Sequence, residues 1–306
     1  MVQVISRRLL FGFISVVAAS VVVFLLTRLS GDPAVLMMPV DATITEIDAF
    51  RERMGWNDPW LVQYGRFAWG ALQGDFGTSL RHAQPAFKMV MTHMPATLQL
   101  AFSAMAIAII VSVPLGIITA ARRGTWLDGL GQLFATFGQS MPNFWLAIML
   151  ISFLAVEHRL LPVAGRGTPL HLVLPSITIA VGVIAIVMRL TRTSMLEVIS
   201  EDYIRTARSK GLPEWRILIK HAARNIMIPV VTIIGLRFGY ILGSAVVVET
   251  VFAWPGVGYF TLQAIRNADY PIVQASVFVL AVCIIIINLL VDLLYAVLDP
   301  RIRMER

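Results

Sequence analysis

The chain has 306 residues, 58% of them hydrophobic and only 14% charged, with a mean hydropathy of +0.78. A water-soluble domain carries about 25% charged residues, so a chain this apolar cannot build a soluble shell, and most of its surface must meet lipid or other subunits. The net charge of +7 does not point to nucleic acid, because Lys and Arg sit in short segments between apolar runs, where they act as topology signals.

The first apolar run covers residues 9–26, preceded by Arg7 and Arg8 and closed by Arg28. A signal-peptide core spans about 7–15 residues and ends at small residues. This run is longer, and Arg28-Leu29-Ser30-Gly31-Asp32 is a poor cleavage site, so residues 1–29 read as a retained transmembrane helix. Residues 30–96 carry helix signals of their own and read as a periplasmic helical cap. Thr43-Ile44-Thr45-Glu46 fits a capping box, opening a helix that stops at Gly55. Asp58-Pro59 reads as an N-cap followed by a proline at the first helical position, opening a second helix that ends near Gly74. Trp56, Trp60, Trp69 and Phe76 fit a cap on the outer membrane surface, or equally a lid over a pore.

Five more apolar runs follow, at residues 97–121, 130–156, 172–189, 229–248 and 272–297. Each approaches the roughly 20 residues that a helix needs to cross hydrocarbon. Pro114, Gly116, Pro142, Gly235 and Gly239 interrupt them, which a bundle tolerates because neighbouring helices satisfy the freed backbone groups. The expected fold is an all-α polytopic membrane protein of six spans, with residues 97–306 forming a five-helix core. Cys283, the one cysteine, lies in the last run and excludes by count an internal disulfide or a thiolate metal site; it reads as a small buried hydrophobe. With the N-terminus inside, the inner segments hold 15 of the 25 Lys and Arg: Arg7 and Arg8, Arg122 and Arg123, Arg189 and Arg192, six between Arg205 and Arg224, and three after residue 300. Both chain ends are therefore expected in the cytoplasm.

The longest inner segment, residues 191–228, is too long for a plain connector. Met195, Val198, Ile199, Tyr203 and Ala207 follow helical spacing, Gly211-Leu212-Pro213 breaks it, and a second helix starts near Glu214. Ala207 and Gly211 are small enough for a close approach, and Leu212, Trp215 and Leu218 are placed to project from the membrane. Spacing alone allows two readings, a helix seated in a partner's groove and one resting on lipid headgroups.

Here the chain resembles a family. Residues 202–212, Asp202-Tyr203-Ile204-Arg205-Thr206-Ala207-Arg208-Ser209-Lys210-Gly211-Leu212, with Arg224-Asn225 and Pro229 after them, resemble the cytoplasmic signature loop of ABC importer permeases, and more narrowly the first permease of the dipeptide/oligopeptide group. The resemblance extends along the chain through Gly31-Asp32-Pro33, Gly74-Asp75-Phe76-Gly77-Thr78-Ser79, Met141-Pro142-Asn143-Phe144-Trp145-Leu146, residues 249–258, Asp269-Tyr270-Pro271 and Leu298-Asp299-Pro300-Arg301. The general signature begins Glu-Ala-Ala where this chain has Arg205-Thr206-Ala207, and residues 211–226 are a longer stretch than in the general motif. Both departures look typical of the peptide group.

The resemblance implies a type I importer permease fold and a four-part core: this chain, a second permease and two ABC ATPase subunits that carry the ATP and magnesium, fed by a periplasmic or lipid-anchored binding protein. It makes residues 205–218 the coupling helix. Tyr203 falls in the signature, Ala207 and Gly211 allow close approach, Leu212, Pro213 and Trp215 are contact residues, and Arg205, Arg208 and Lys210 are polar partners of the ATPase rim. The implied cargo is a di- or oligopeptide, with nickel chelates, glutathione, opines or oligosaccharides as alternatives within the class.

The chain has no Gly-x4-Gly-Lys-Ser/Thr loop, so no cofactor is expected on it. Its five scattered histidines have no metal-ligand spacing. Arg237 and Asp292 are charges inside spans, at matching expected depth, and suggest an ion pair. Glu249 and the Trp254-Pro255-Gly256 turn are placed for an outer gate or a binding-protein contact, or for an ordinary turn. A secondary transporter is the rival from another class, but no internal inverted symmetry is visible.

Overall fold

The computed structural model describes residues 2–29, 32, 34, 35, 38, 41–79 and 81–298, leaving aside the side chains of 2–5, 26–29, 292 and 294–298. In chain order the helices are α1 Val2–Leu29, α2 Ile44–Arg53, α3 Trp60–Gln73, α4 Ala86–Ala121, α5 Trp126–Ser140, α6 Asn143–Leu150, α7 Val173–Ile199, α8 Asp202–Ser209, α9 Glu214–Arg216, α10 Ala223–Val251, α11 Val257–Arg266 and α12 Tyr270–Leu298. Wider π-wound stretches, Ile151–Glu157 and Ile217–Ala222, extend α6 and join α9 to α10, and a tight turn Pro169–Leu172 leads into α7.

Among the described residues five stretches are long and apolar enough to cross a membrane: Ser6–Leu25, Ala86–Ala121, Pro169–Ile199, Glu214–Val251 and Tyr270–Val291. A sixth is present if α5 and the α6 segment count as one broken span, for they meet at 107°. The single run expected over 130–156 is therefore bent. Met141 is extended (φ −76°, ψ 126°), as a residue before proline tends to be, and Pro142 has no N–H with which to continue α5. The fourth span runs past its expected end at residue 189 to Ile199. The fifth is continuous with the inner helix from Glu214, and Pro229 sits within it. Cys283, expected to be buried, is half-exposed on α12.

The chain divides into two compact units. The first comprises Met1–Ile5, Leu98–Trp254 and Ile287–Arg306. Its central helix is α7, packed against both α5 and α10; Ile179, Val183, Val187, Met188 and Met195 are almost fully buried. The helices approach closely through glycines, as small residues permit in membrane bundles. A Cβ on Gly116 of α4 would lie 2.6 Å from Thr191 and 2.8 Å from the Met188 carbonyl, and one on Gly131 of α5 would lie 2.4 Å from Thr119. One on Gly235 of α10 would lie 2.2 Å from Val291 of α12. Ser103 and Ser176 share a 2.6 Å hydrogen bond between α4 and α7.

The second unit comprises Ser6–Thr97 and Pro255–Ile286. It contains the two cap helices expected from sequence. Glu46 N–H donates to Thr43 Oγ1 (3.4 Å) and Thr43 N–H to Glu46 Oε2 (2.8 Å), which completes the capping box. The bond from the Thr43 backbone holds the exposed Glu46 carboxyl below its ordinary range. α2 closes at Gly55 (φ 65°) and α3 at Gly74 (φ 73°). The start of α3 differs from expectation: Pro59, not Asp58, is the N-cap, and no side chain caps the helix. The Asp58 carboxylate is drawn away by Arg66 (2.6 Å), while its carbonyl accepts from Gln63 Nε2 (2.7 Å).

Phe67 of α3 joins an aromatic cluster with Phe24 of α1, Phe76 and Phe278 of α12, at centroid separations of 5.9, 6.1 and 6.4 Å. Phe76 is thus interior to the cap, whereas Trp60 and Trp69 are exposed. A cavity of about 420 Å³ within this unit is lined by Trp56, Gln63, Arg66, Asp75 and Tyr270 among others.

Candidate functional site

Residues 200–216 leave the end of α7, form the short helix α8, turn, and re-enter a helix at Glu214. On α8, Ile204 and Ala207 are buried, three residues apart on one face. The remainder of the helix, Tyr203, Arg205, Thr206, Arg208 and Ser209, is exposed. That one-sided burial is what an amphipathic helix lying flat on a bundle produces. α8 ends in a left-handed turn: Gly211 has φ 74°, its N–H donates to the Arg208 carbonyl (2.9 Å), and Leu212 N–H reaches back to Ala207 (3.4 Å). This 6→1, 5→2 closure needs a left-handed residue, a conformation that glycine adopts at least cost.

Several expected roles change at this point. Nothing lies within 4 Å of a Cβ built on Gly211, so within this chain the glycine serves backbone direction and not close approach; Ala207 is the packed small residue. Trp215 is 60% exposed and does project. Leu212 and Leu218 are only half-exposed, because Ile217 between them is fully buried and pulls the helix onto the bundle. Pro213 is exposed and is the N-cap of α9 (φ −65°, ψ 141°).

The charged residues also divide. Arg208 forks onto Glu214 through Nε–Oε2 (3.2 Å) and Nη2–Oε1 (2.7 Å), tying α8 across the turn to α9; that carboxylate holds the guanidinium above its ordinary range. Arg205 makes only a loose, exposed contact with Asp202 (3.3 Å), and Lys210 is exposed. Tyr203 Oη accepts from Asn225 Nδ2 (2.5 Å), a second tie from α8 to α10. Of the exposed candidate residues, Arg205, Lys210, Pro213 and Trp215 are left facing outward, while Arg208 and Tyr203, also exposed, fix the segment to its own chain.

A buried ion pair that the sequence reading missed stands beside this segment on α7. Arg192 is fork-bonded to Asp128 of α5, Nε to Oδ1 at 2.7 Å and Nη2 to Oδ2 at 2.8 Å, with side chains 17% and 9% exposed. Asp128 also accepts from Gly124 N–H (3.0 Å), and with its amide oxygen turned to face Arg192, Gln132 accepts at 2.9 Å from Nε. The signal was present as a lone Asp at the start of an apolar run, but Arg192 was counted only as a topology charge.

Counted from Pro229 in the sequence, Arg237 lies eight residues on, which places it near the inner end of a span that starts there. Since α10 runs unbroken from Ala223 to Val251, Arg237 is at its midpoint. Gly235 faces Val291 of α12, and two residues further along is a rotation of roughly 200°, so Arg237 leaves α10 on a different side from α12. The side chain of Asp292 lies outside the described residues. Glu249 and Trp254 are 0% and 1% exposed; Trp254 N–H donates to the Glu249 carbonyl (2.8 Å) to close α10, and Arg166 stands 5.6 Å from the Trp254 ring. In the other unit, Pro255 is half-exposed and Gly256 is the N-cap of α11. Among the described residues no group of three or more His, Cys, Asp or Glu is placed to hold a metal.

Comparison with known proteins gives the family. The chain is 38% identical to the dipeptide transport system permease protein DppB of Escherichia coli K12, over 100% of both chains. It is 38% identical to the protein of the same name in Alkalihalophilus pseudofirmus, covering 97% of this chain and 98% of that one. It is 40% identical to the glutathione transport system permease protein GsiC of Salmonella paratyphi A, over 99% of both. In fold it is similar to a chain of the inward-facing MetNI methionine ABC transporter, with a TM-score of 0.55 at 17% identity over 69% of this chain and 96% of that one. Residues 1–101 match the N-terminal component, and residues 112–304 the main component, of one family. The chain is a multi-pass membrane protein of the binding-protein-dependent transport system inner membrane component family.

Proposed function

We propose that this chain is one of two permease subunits of an ATP-driven, binding-protein-dependent importer, and that residues 202–216 are the element through which its ATPases drive it. The observation that carries this reading is the division of that segment: an inner face anchored by Ile204, Ala207 and Ile217, and an outer face presenting Arg205, Lys210, Pro213 and Trp215. The anchoring is stiff. α7 leads into α8 within three residues, α9 is continuous with α10, and Arg208–Glu214 and Tyr203–Asn225 close the gap between them. A displacement of this exposed knob by a partner is therefore passed into two membrane spans together.

In this assembly both termini and the 202–216 segment face the cytoplasm, residues 30–96 lie on the receptor side, and ATP with magnesium is bound by the partner ATPases. The exposed Trp215 with adjacent basic residues suits the helix-in-groove mode of docking and the acidic rim of such a groove. The cargo is a short peptide, a reading supported by relatives named for dipeptides and for glutathione, itself a peptide.

The test is to replace residues 210–213 by a flexible Gly-Ser stretch of equal length in the reconstituted importer. The expected result is an assembled complex whose cargo-stimulated ATP hydrolysis and transport fall at least about tenfold, as befits loss of a hot-spot contact. Normal transport by the linker variant would overturn the proposal.

A further inference from the structure

Resting on the importer reading, we infer that Arg237 is a cargo-contacting residue in the translocation path, where its guanidinium receives the carboxylate of the passing solute. Three observations lead there.

The first is depth. Arg237 has fourteen helical residues on either side of it in α10, about 21 Å in each direction at 1.5 Å per residue. An arginine side chain cannot reach either end of such a helix to hydrate its head group. A charge held at that depth marks a site where water or a ligand reaches it.

The second is that, among the described residues, no carboxylate is bonded to it. Arg237 is half-buried, its Nε is enclosed without a hydrogen-bond acceptor, and the guanidinium stands 5.7 Å from the Tyr240 ring. An aromatic face stabilises a cation but leaves every N–H free to donate. Arg192, by contrast, an arginine of the same unit that a carboxylate does hold, has both arms of its fork occupied. A half-buried guanidinium with donors to spare is a receptor for a planar, two-oxygen anion.

The third is the company it keeps. Leu236, Tyr240, Gly243 and Val247 form an exposed stripe along α10, and Arg237 flanks it. The exposed face of α1, by contrast, is built from residues such as Leu9, Phe11, Phe13 and Ile14, as hydrocarbon requires. A stripe carrying a phenol and a bare glycine beside an arginine suits a wet path for a solute with both polar and apolar parts. Gly243 has no atom within 4 Å of where a Cβ would stand, which leaves room beside Tyr240.

The experiment uses the complete importer in proteoliposomes, with Cys283→Ser as background and dialanine as the probe. Arg237→Cys is expected to lower dialanine transport about tenfold or more, the worth of a charged hydrogen bond. Its thiol is expected to react with water-soluble methanethiosulfonates, to be protected by dialanine under turnover, and to regain transport with the aminoethyl reagent but not with the sulfonatoethyl one. An unreactive thiol, or reaction that dialanine does not slow, would overturn the inference. So would recovery of transport in an Arg237→Gln, Asp292→Asn double variant, since that assigns Arg237 to an internal ion pair. A Cys283→Ser complex with Arg237 intact that hydrolyses ATP but does not move dialanine overturns the peptide reading and the carboxylate assignment with it; the reactivity of the Arg237→Cys thiol reports the path whatever the cargo.

Discussion

Ala253 and Ala268 adopt left-handed backbone angles, φ 45° and 52°, each closing a helix by the pattern that Gly55, Gly74 and Gly211 also use. Trp254 N–H reaches Glu249 and Ala253 N–H reaches Thr250 at the end of α10; Asp269 N–H reaches Ala264 and Ala268 N–H reaches Ile265 at the end of α11. At such a position a Cβ strains the backbone. Ala253→Gly and Ala268→Gly are each expected to stabilise the protein by about 0.5–1 kcal/mol. For a chain of this size that raises the midpoint of thermal unfolding in detergent by roughly 1–2 °C. Gly211→Ala is expected to shift it in the opposite direction. The glycine closures were legible in the sequence because glycine there breaks a helical pattern. The alanine ones were not, because alanine is the best helix former and carries no stop signal of its own.

Glu46 supplies a pH dependence at the same scale. Its carboxyl titrates below the ordinary value, so the capping box stabilises α2 above the unfolded-state pKa and is lost as pH falls through the lowered folded one. Unfolding followed by pH is expected to show an acid-side loss beginning below about pH 4, which Glu46→Gln removes.

Among the elements, the α5–α7 contact decides how far a push on α8 travels. The Asp128–Arg192 fork lies close to the end of α7 that leads into α8, and α4 packs on both helices, through Gly116 against Thr191 of α7 and through Thr119 against Gly131 of α5. These helices therefore move as one body. Removing one partner of a buried pair leaves the other charge uncompensated. Asp128→Ala is expected to cost about 3 kcal/mol in thermal or denaturant unfolding, and the exchange of both charges to recover a good part of it; an exchange no better than the single change would mean that the pair is not what holds the seam. The bends at this scale were only partly readable. Pro142 and Pro229 look alike in the sequence, yet one ends α5 and the other lies inside α10. The difference is in what precedes them: Met141 is extended, whereas α10 has already started six residues before Pro229 and its neighbours hold it helical.

At the scale of the whole molecule, five of the six apolar runs were legible as long single helices, because lipid admits so few backbone solutions; the run over 130–156 is bent instead. The two short helices α2 and α3 were readable from their capping signals and glycine stops, although the aromatic cluster beside them was not, since tryptophan and phenylalanine mark a membrane surface and a small core equally well. The segment 202–216 was legible as a break between helices. Which of its residues face outward was not, because that depends on Ile204 and Ile217 being drawn onto the bundle and on Arg208 finding Glu214.

If residues 202–216 couple the permease to its motor, Trp215 and its neighbours meet an ATPase on the cytoplasmic side. Labelling of Trp215→Cys, in a Cys283→Ser background, by a membrane-impermeant maleimide tests it directly in right-side-out and inside-out vesicles. Reaction only in inside-out vesicles, slowed about tenfold or more when the ATPase subunits are assembled, is the predicted result. Reaction from the outside, or equal rates with and without the ATPases, would contradict it.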